Sequence, residues 1–494
     1  MKKILSFIMA ACMTATLLAG CGAGAPKSTA TAASQTATSA AASTEEPTSI
    51  IWMVRWDEPK NNAAVMEKLN AQLLKDLNMT LDMRFIAPGD YNQKMQMAMA
   101  GGDEWDLCFT SAWANNYVNA AGKGAYLALD DLLEKHAPDV LATVPEKFWD
   151  GVRVNGNIYG MINYQVMYDQ GGQRYLKSVV DEMGIDVAAI KTFDDLIKVL
   201  KDVQAKHPEM SATRGLGVSM PMLAFQPEAV NTILGQFIGY DPATKKVSLD
   251  YAMEKYAPIF AAAREVKENN LQPADAATLK DETTLINNGQ IFNRYERIKP
   301  GTESMLKANT GLDWVVAPTC EKFIDTAAVQ STVTAVNANS KNPEKAIELY
   351  NYLYTNKEAF NTLVYGIEGQ DYNLEDGRVA PIEGGYAAQA WMVGNQFNAL
   401  VRATDAPDVW EQTMKGNEEA VISPLYGYVA DRAPIETEMA SCEAVWGEYK
   451  DILMYGLDDT DKAVSEMKAK MESAGIEKVI AELQAQVDAF LAAK

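Results

Sequence analysis

The sequence predicts an α/β body, a sheet flanked by helices, carried behind an N-terminal leader and a spacer. Three observations predict it. Between Thr48 and Thr110, apolar runs of strand length alternate with amphipathic stretches of helix length, the signature of a parallel sheet covered by helices. Lys2 and Lys3 precede an apolar run from Ile4 to Leu18, followed by small residues. That is the pattern of a secretory leader over residues 1–20, and the run is too short and too diluted to serve as a transmembrane span. Residues 22–49 are almost entirely Ala, Ser, Thr and Gly, which cannot offset the entropy of ordering, so residues 21–49 read as a disordered stalk. At about 5–6 Å × √n for a flexible chain, such a stalk would hold the body about 30 Å from its point of attachment.

The elements follow in order. Residues 48–56 are rich in β-branched and aromatic side chains and read as a strand. Val65, Met66, Leu69, Leu73 and Leu74 recur at helical spacing over 61–77. Thr80–Ala87 reads as the second strand, and Pro88-Gly89 turns the chain into a helix with Asp90 as N-cap and Gly101-Gly102 as its stop. Asp106–Thr110 is a third short strand. In such sheets ligands sit beyond the carboxyl ends of the strands, here Arg55-Trp56, Ala87-Pro88 and Thr110-Ser111. The stretch from Gly122 is expected to form one helix closed by Pro138. Asn155-Gly156 between short apolar runs predicts a hairpin. Residues 165–320 repeat the alternation: Thr192 with Asp195 approaches a capping box, and Arg214–Met220, Gln290–Tyr295 and Trp314–Ala317 read as strands. Ser331–Val336 is a further strand before Asn342-Pro343, which opens a helix, and residues 429–494 are helical.

Composition bounds the function. The net charge of −22 argues against nucleic acid as a partner and against a basic membrane-binding face. After the leader, Cys108, Cys320 and Cys442 are an odd set without CxxC spacing, so neither a disulfide framework nor a zinc site is expected and the thiols should pack in the core. Only His136 and His207 are available, each beside a proline at a polar helix end, which leaves a Ser-His-Asp triad or a histidine-rich metal site almost nothing to draw on. Asp459-Thr460-Asp461 mimics the start of a calcium loop but lacks its later ligands, and it reads as an exposed turn. No cofactor, metal or catalytic residue is predicted. With 66 acidic residues, carboxylate pairing for glycoside hydrolysis cannot be judged from spacing.

What remains is aromatic surface with amide and charged neighbours at strand ends and turns. The candidate binding residues are Arg55, Trp56, Trp113, Asn116, Tyr117, Tyr164, Gln165, Arg294, Tyr295, Trp391 and Asn395. A polyhydroxylated ligand needs such a surface, because apolar sugar faces stack on Trp or Tyr while amides and Arg pair with hydroxyls.

Leu-Ala-Gly-Cys21 resembles the lipobox of bacterial lipoproteins, in which the cysteine thiol is diacylated and becomes the first mature residue. Two acyl chains give stable anchoring where one does not. Together with that lipobox, DYNQKMQMAMAGGDEWDLCFTSAW, GKGAYLALDDLL and NGNIYG resemble an extracellular solute-binding protein of the carbohydrate-type ABC importers (family 1-like). YGIEGQDYNLEDG and the tail from SPLYGY onward resemble a lipoprotein subgroup with a C-terminal domain of unassigned function. The resemblance implies a two-lobed, class II periplasmic-binding-protein-like fold with the ligand between the lobes. It places the N-terminal lobe at 50–162 plus 325–378 and the C-terminal lobe at 163–324 plus 379–494. Crossings are then expected near Gly160–Gln165, Cys320–Ala327 and Gly377–Ile382. By order along the chain, Trp113–Tyr117 would reach the sugar from the first lobe and Arg294-Tyr295 from the second. The implied function is capture of an oligosaccharide outside the cell membrane (or on its periplasmic face) and delivery to an ABC permease. The lipid at Cys21 would be the only membrane attachment. The alternatives are an adhesion or signalling lipoprotein, or a secreted glycoside hydrolase.

Overall fold

The computed structural model describes residues 46–216, 237–279 and 282–494. The leader, Cys21 and the stalk up to residue 45 lie outside the described residues, as does the end of the strand expected at Arg214–Met220. Residues from Pro47 onward form one compact unit. Strand formation begins at Thr48, so the last residues assigned to the stalk belong to the body instead, with the Thr48 N–H donating to Asn78 O.

The first sheet contains β1 (Thr48–Val54), β2 (Met79–Phe85), β3 (Leu107–Thr110), β4 (Gly160–Ile162) and, much later in the chain, β9 (Val333–Val336), in the order β2-β1-β3-β9-β4. β1 runs parallel to β2 and β3, while β9 runs antiparallel to β3 and β4. The register Thr110↔Val333↔Ile162 brings the ends of β3 and β4 and the start of β9 to one edge. β1 alternates: Ile50, Trp52 and Val54 are buried against the helices, as a period of two requires. The helix Asn62–Leu77 buries Val65, Leu69 and Leu73. The second sheet, order β8-β5-β7-β6, is built from β5 (Gly171–Leu176), β6 (Ser211–Thr213), β7 (Ile291–Arg297) and β8 (Trp314–Pro318). Each sheet has its own apolar core, so the body is two-lobed.

Local chemistry explains several elements. Asn155 and Gly156 both take left-handed φ (50° and 86°), closing the hairpin between Arg153–Val154 and Asn157–Ile158. Thr192 and Asp195 form a complete capping box on the helix Phe193–Lys206. Asp459 caps the helix Thr460–Ser473 through the Lys462 N–H, so the acidic turn is a helix start. Pro138 does not close one long helix. The helix is only Asp130–His136, and Pro138 begins a second one, Pro138–Thr143, at the position where its missing N–H costs nothing. Asp90 precedes the helix Tyr91–Gly101 without a side-chain capping bond and instead pairs with Lys94. Cys108, Cys320 and Cys442 are free and buried.

Among the described residues, three segments join the lobes. Residues 163–170 lead from β4 to β5, and residues 319–332 lead from β8 to β9. The third differs from the expectation at Gly377–Ile382: Val379, Met392, Val393 and Ala399 all pack in the first core, so the chain there has not yet left the first lobe. It leaves after the helix Val409–Glu419, where Val421–Ile422 pairs in parallel with Phe323–Ile324 of the second link. The helices Glu436–Met454, Thr460–Ser473 and Ile476–Ala493 then complete the second core. Among the described residues no helix is long and apolar enough to cross a membrane.

Candidate functional site

The edge where β3, β4 and β9 end and begin carries the exposed indole of Trp113 beside the partly buried Trp391. Immediately after β3 the chain makes a tight loop. The Ser111 hydroxyl oxygen accepts from the Ala114 N–H (2.8 Å), and Asn115 adopts left-handed φ of 46° while its amide donates to Phe109 O and to the Tyr126 hydroxyl. The loop has the effect of turning Trp113 outward, 49% exposed. Its indole N–H donates to Ser331 O (2.8 Å), its ring leans on Phe109 (5.8 Å) and Trp391 (6.2 Å), and the Arg55 guanidinium lies 4.8 Å from its ring centroid. Gln165, from the first link, donates to the Ser331 hydroxyl (3.3 Å). Arg55, Trp113, Gln165 and Trp391 are therefore brought together, and Ser331 and Phe109 join them. Ser331 enters the sequence reading only as the start of a strand, because its role depends on long-range pairing that seats it beside Ala112 and Trp113.

Other sequence candidates lie elsewhere. Tyr117 is fully buried, its hydroxyl donating to Val152 O and accepting from the Tyr159 N–H, so it is a packing residue and the binding expectation is corrected. Trp56, 4% exposed and tilted against Phe85, is likewise in the first core. Asn116 is exposed but caps the helix Tyr117–Gly122 through the Asn119 N–H. Tyr164 is buried between Phe148 and Phe397. Asn395 pairs with Tyr164 as an isolated bridge and caps a single turn at Phe397.

On the second lobe, Arg294 pairs with Glu282 (2.6 Å), which also holds the buried Arg214 (2.8 Å). Tyr295 is nearly buried, with a shielded hydroxyl that has no hydrogen-bond partner, and it does not present an open stacking face. The burial and the charge of Asp169 push its phenol well above the usual range, against the opposing pull of Arg297. Arg297, at the end of β7, forms an ion pair with Asp169 of the first link. Beyond it, Lys299 is exposed on the loop after β7, and partial desolvation in that crowded setting, reinforced by the charges of Arg297 and Arg402, holds its pKa below the ordinary lysine range. Arg402 follows residues of the first core, and the Ser304 hydroxyl donates to Thr404 O (2.9 Å), so the lobes touch here directly.

Asp325, in the second link, faces Asp169 and Arg297 and accepts from the Ala328 N–H (2.7 Å). Burial and the Asp169 charge raise its pKa to about 6. A carboxyl whose folded pKa lies above its unfolded one binds more protons in the folded state. Stability should therefore fall as pH rises from about 4 through about 6. Asp325→Asn retains the cap and removes the charge. Its melting temperature relative to wild type is expected to rise between pH 4.5 and 7.5, and a difference independent of pH would contradict this reading. Among the described residues no group of three or more His, Cys, Asp or Glu side chains is arranged to hold a metal.

Two α/β lobes joined by three segments, with an aromatic and amide surface at the joining edge, define a solute-binding architecture. Residues 56–360 match the bacterial extracellular solute-binding protein family, and the chain belongs to it. Residues 424–492 match a domain of unknown function, DUF3502, which covers the C-terminal helices of the second lobe. A relative from Streptococcus pneumoniae serotype 4 (strain TIGR4), a carbohydrate ABC transporter substrate-binding protein, is 27% identical over 445 residues, 88% of this chain and 89% of that protein. The crystal structure of the N-glycan transport solute-binding protein NgtS from S. pneumoniae superposes with a TM-score of 0.80 at 25% identity, covering 90% of this chain and 99% of that one. The same protein in complex with Man5GlcNAc gives 0.70 at the same identity and coverage. An alginate-binding protein, 16% identical with a TM-score of 0.60 and coverage of 90% and 99%, shares the fold.

Proposed function

We propose that this protein captures an oligosaccharide between its lobes, without turning it over, and delivers it to an ABC permease. The observation that carries the reading is Trp113: a half-exposed indole, flanked by Trp391 and Arg55, held by Ser331 at the edge from which the lobe-joining segments depart. A ring in that setting offers a stacking face to a pyranose, and Arg55 and Gln165 supply donors for its hydroxyls. Two facts support the reading. The S. pneumoniae relative is named for carbohydrate transport. The likeness to NgtS is also greater for the first of its crystal structures (0.80) than for its complexes with Man1GlcNAc and Man5GlcNAc (0.73 and 0.70), as expected if the form described is open and a bound glycan closes it. On the second lobe the wall facing Trp113 would be formed by Arg294, Arg297 and Lys299.

A thermal-shift panel of neutral oligosaccharides, including Man5GlcNAc, tests this on residues 46–494. At a hundredfold excess over the dissociation constant, a true ligand adds about 2.7 kcal/mol of apparent stability and is recovered intact. Multiple-turnover release of reducing ends, or no response to any oligosaccharide, would contradict it.

The membrane attachment belongs to the same proposal. Cys21, directly after Leu18-Ala19-Gly20, is taken as the diacylated residue, with the spacer giving the body its reach. Cys21→Ser is expected to appear in the medium or remain unprocessed, and labelling with a radioactive fatty acid should mark the wild type alone. A membrane-bound, labelled serine variant would sink the anchor.

A further inference from the structure

We infer that Asn417 is a positioning residue for the Trp113 platform, acting through a hydrogen-bonded relay that ties the first two lobe-joining segments to the helix that leads into the third. Asn417 lies in the last turn of the helix Val409–Glu419, just before the third link, and is 1% exposed. Its amide donates to Gln165 O (2.8 Å) and its side-chain oxygen accepts from the Met167 N–H (2.8 Å), so one side chain clamps two backbone groups of the first link. The Gln165 amide then donates to the Ser331 hydroxyl (3.3 Å) in the second link, and Ser331 O accepts the Trp113 indole N–H (2.8 Å). From the first lobe, Lys147 donates to Asn417 O (2.7 Å) and fixes the clamp from its other side. The approach is made possible by Gly416, where a Cβ would stand 2.4 Å from the Tyr168 ring of the first link.

Buried amides that satisfy both a carbonyl and an N–H hold their partners in one geometry, because displacing either leaves an unpaired buried group. Asn417 therefore sets the path of residues 165–167, which sets the Gln165 side chain, which sets Ser331 and the tilt of the indole. The inference rests on Trp113 serving as the ligand platform, but its test requires no ligand.

A relay is a claim of coupling and must be tested as one. In protein labelled with 15N at tryptophan, Trp113→Phe identifies the Trp113 indole resonance. Asn417→Asp keeps the acceptor for Met167 but places a carboxylate against the Gln165 carbonyl. It is expected to shift the Trp113 indole resonance and speed its proton exchange several-fold. Asn70→Asp is the matched control, because Asn70 makes the same two-bond clamp on Leu81 N–H and O away from the links, and it should leave Trp113 unchanged. Should Asn417→Asp fail to fold, Gln165→Met breaks the next bond and is expected to give the same shift. An unchanged Trp113 resonance in a folded Asn417→Asp or Gln165→Met protein, or an equal shift in Asn70→Asp, would overturn the relay. Loss of glycan binding with the relay intact would fault the proposed function alone.

Discussion

Trp113→Ala is expected to weaken oligosaccharide binding more than tenfold while leaving the melting temperature of the empty protein nearly unchanged. Truncating an aromatic at a binding hot spot typically costs about 2 kcal/mol or more, over a decade in affinity. The cost to the fold is small because half of the indole is already in water, and what is lost is its contacts with Phe109 and Trp391, the Arg55 guanidinium over its ring and one N–H bond to Ser331. Tyr295→Ala should behave in the opposite sense. Its ring is 7% exposed, so removing it leaves a cavity, and the loss appears first in stability. Calorimetric titration and melting of the two variants separate these outcomes. Unchanged affinity in Trp113→Ala would mean that the ring is a packing element.

The second large effect is expected far from the ligand. Trp446, on the helix Glu436–Met454, is 3% exposed and packs on Tyr256 (5.7 Å) and Phe237 (6.2 Å) in the second core. Trp446→Ala should cost about 3–5 kcal/mol, the range for emptying a large aromatic site. At roughly 2–4 °C per kcal/mol for a lobe of this size, melting should fall by on the order of 10 °C. A shift of only a degree or two would show that the C-terminal helices are appended to the second lobe and not part of its core.

These variants also mark what the sequence could and could not show. The Asn155-Gly156 hairpin and the Thr192–Asp195 cap were legible because two or four adjacent residues settle them. The α/β alternation from Thr48 to Thr110 was legible for the same reason, since periodicity is local. Tyr117 and Trp113 look alike in sequence, as aromatics on either side of Asn115-Asn116 after the same strand. Only the turn held by Ser111 and Asn115 sends one outward and the other under Val152. The third link was misplaced because Val379, Met392 and Val393 return to the first core through contacts with residues far back in the chain. Ser331 and Asn417 carry no motif. Their importance comes from partners 218 and 252 residues away, which no spacing rule reports.

Small-angle scattering of residues 46–494, with and without saturating amounts of the best oligosaccharide from the panel, tests most directly whether the lobes close on a sugar at Trp113. The radius of gyration should fall on saturation of the wild type and stay at its empty value for Trp113→Ala at the same sugar concentration. Tight, stoichiometric binding with no change in the radius of gyration, or equal compaction in Trp113→Ala, would contradict the account.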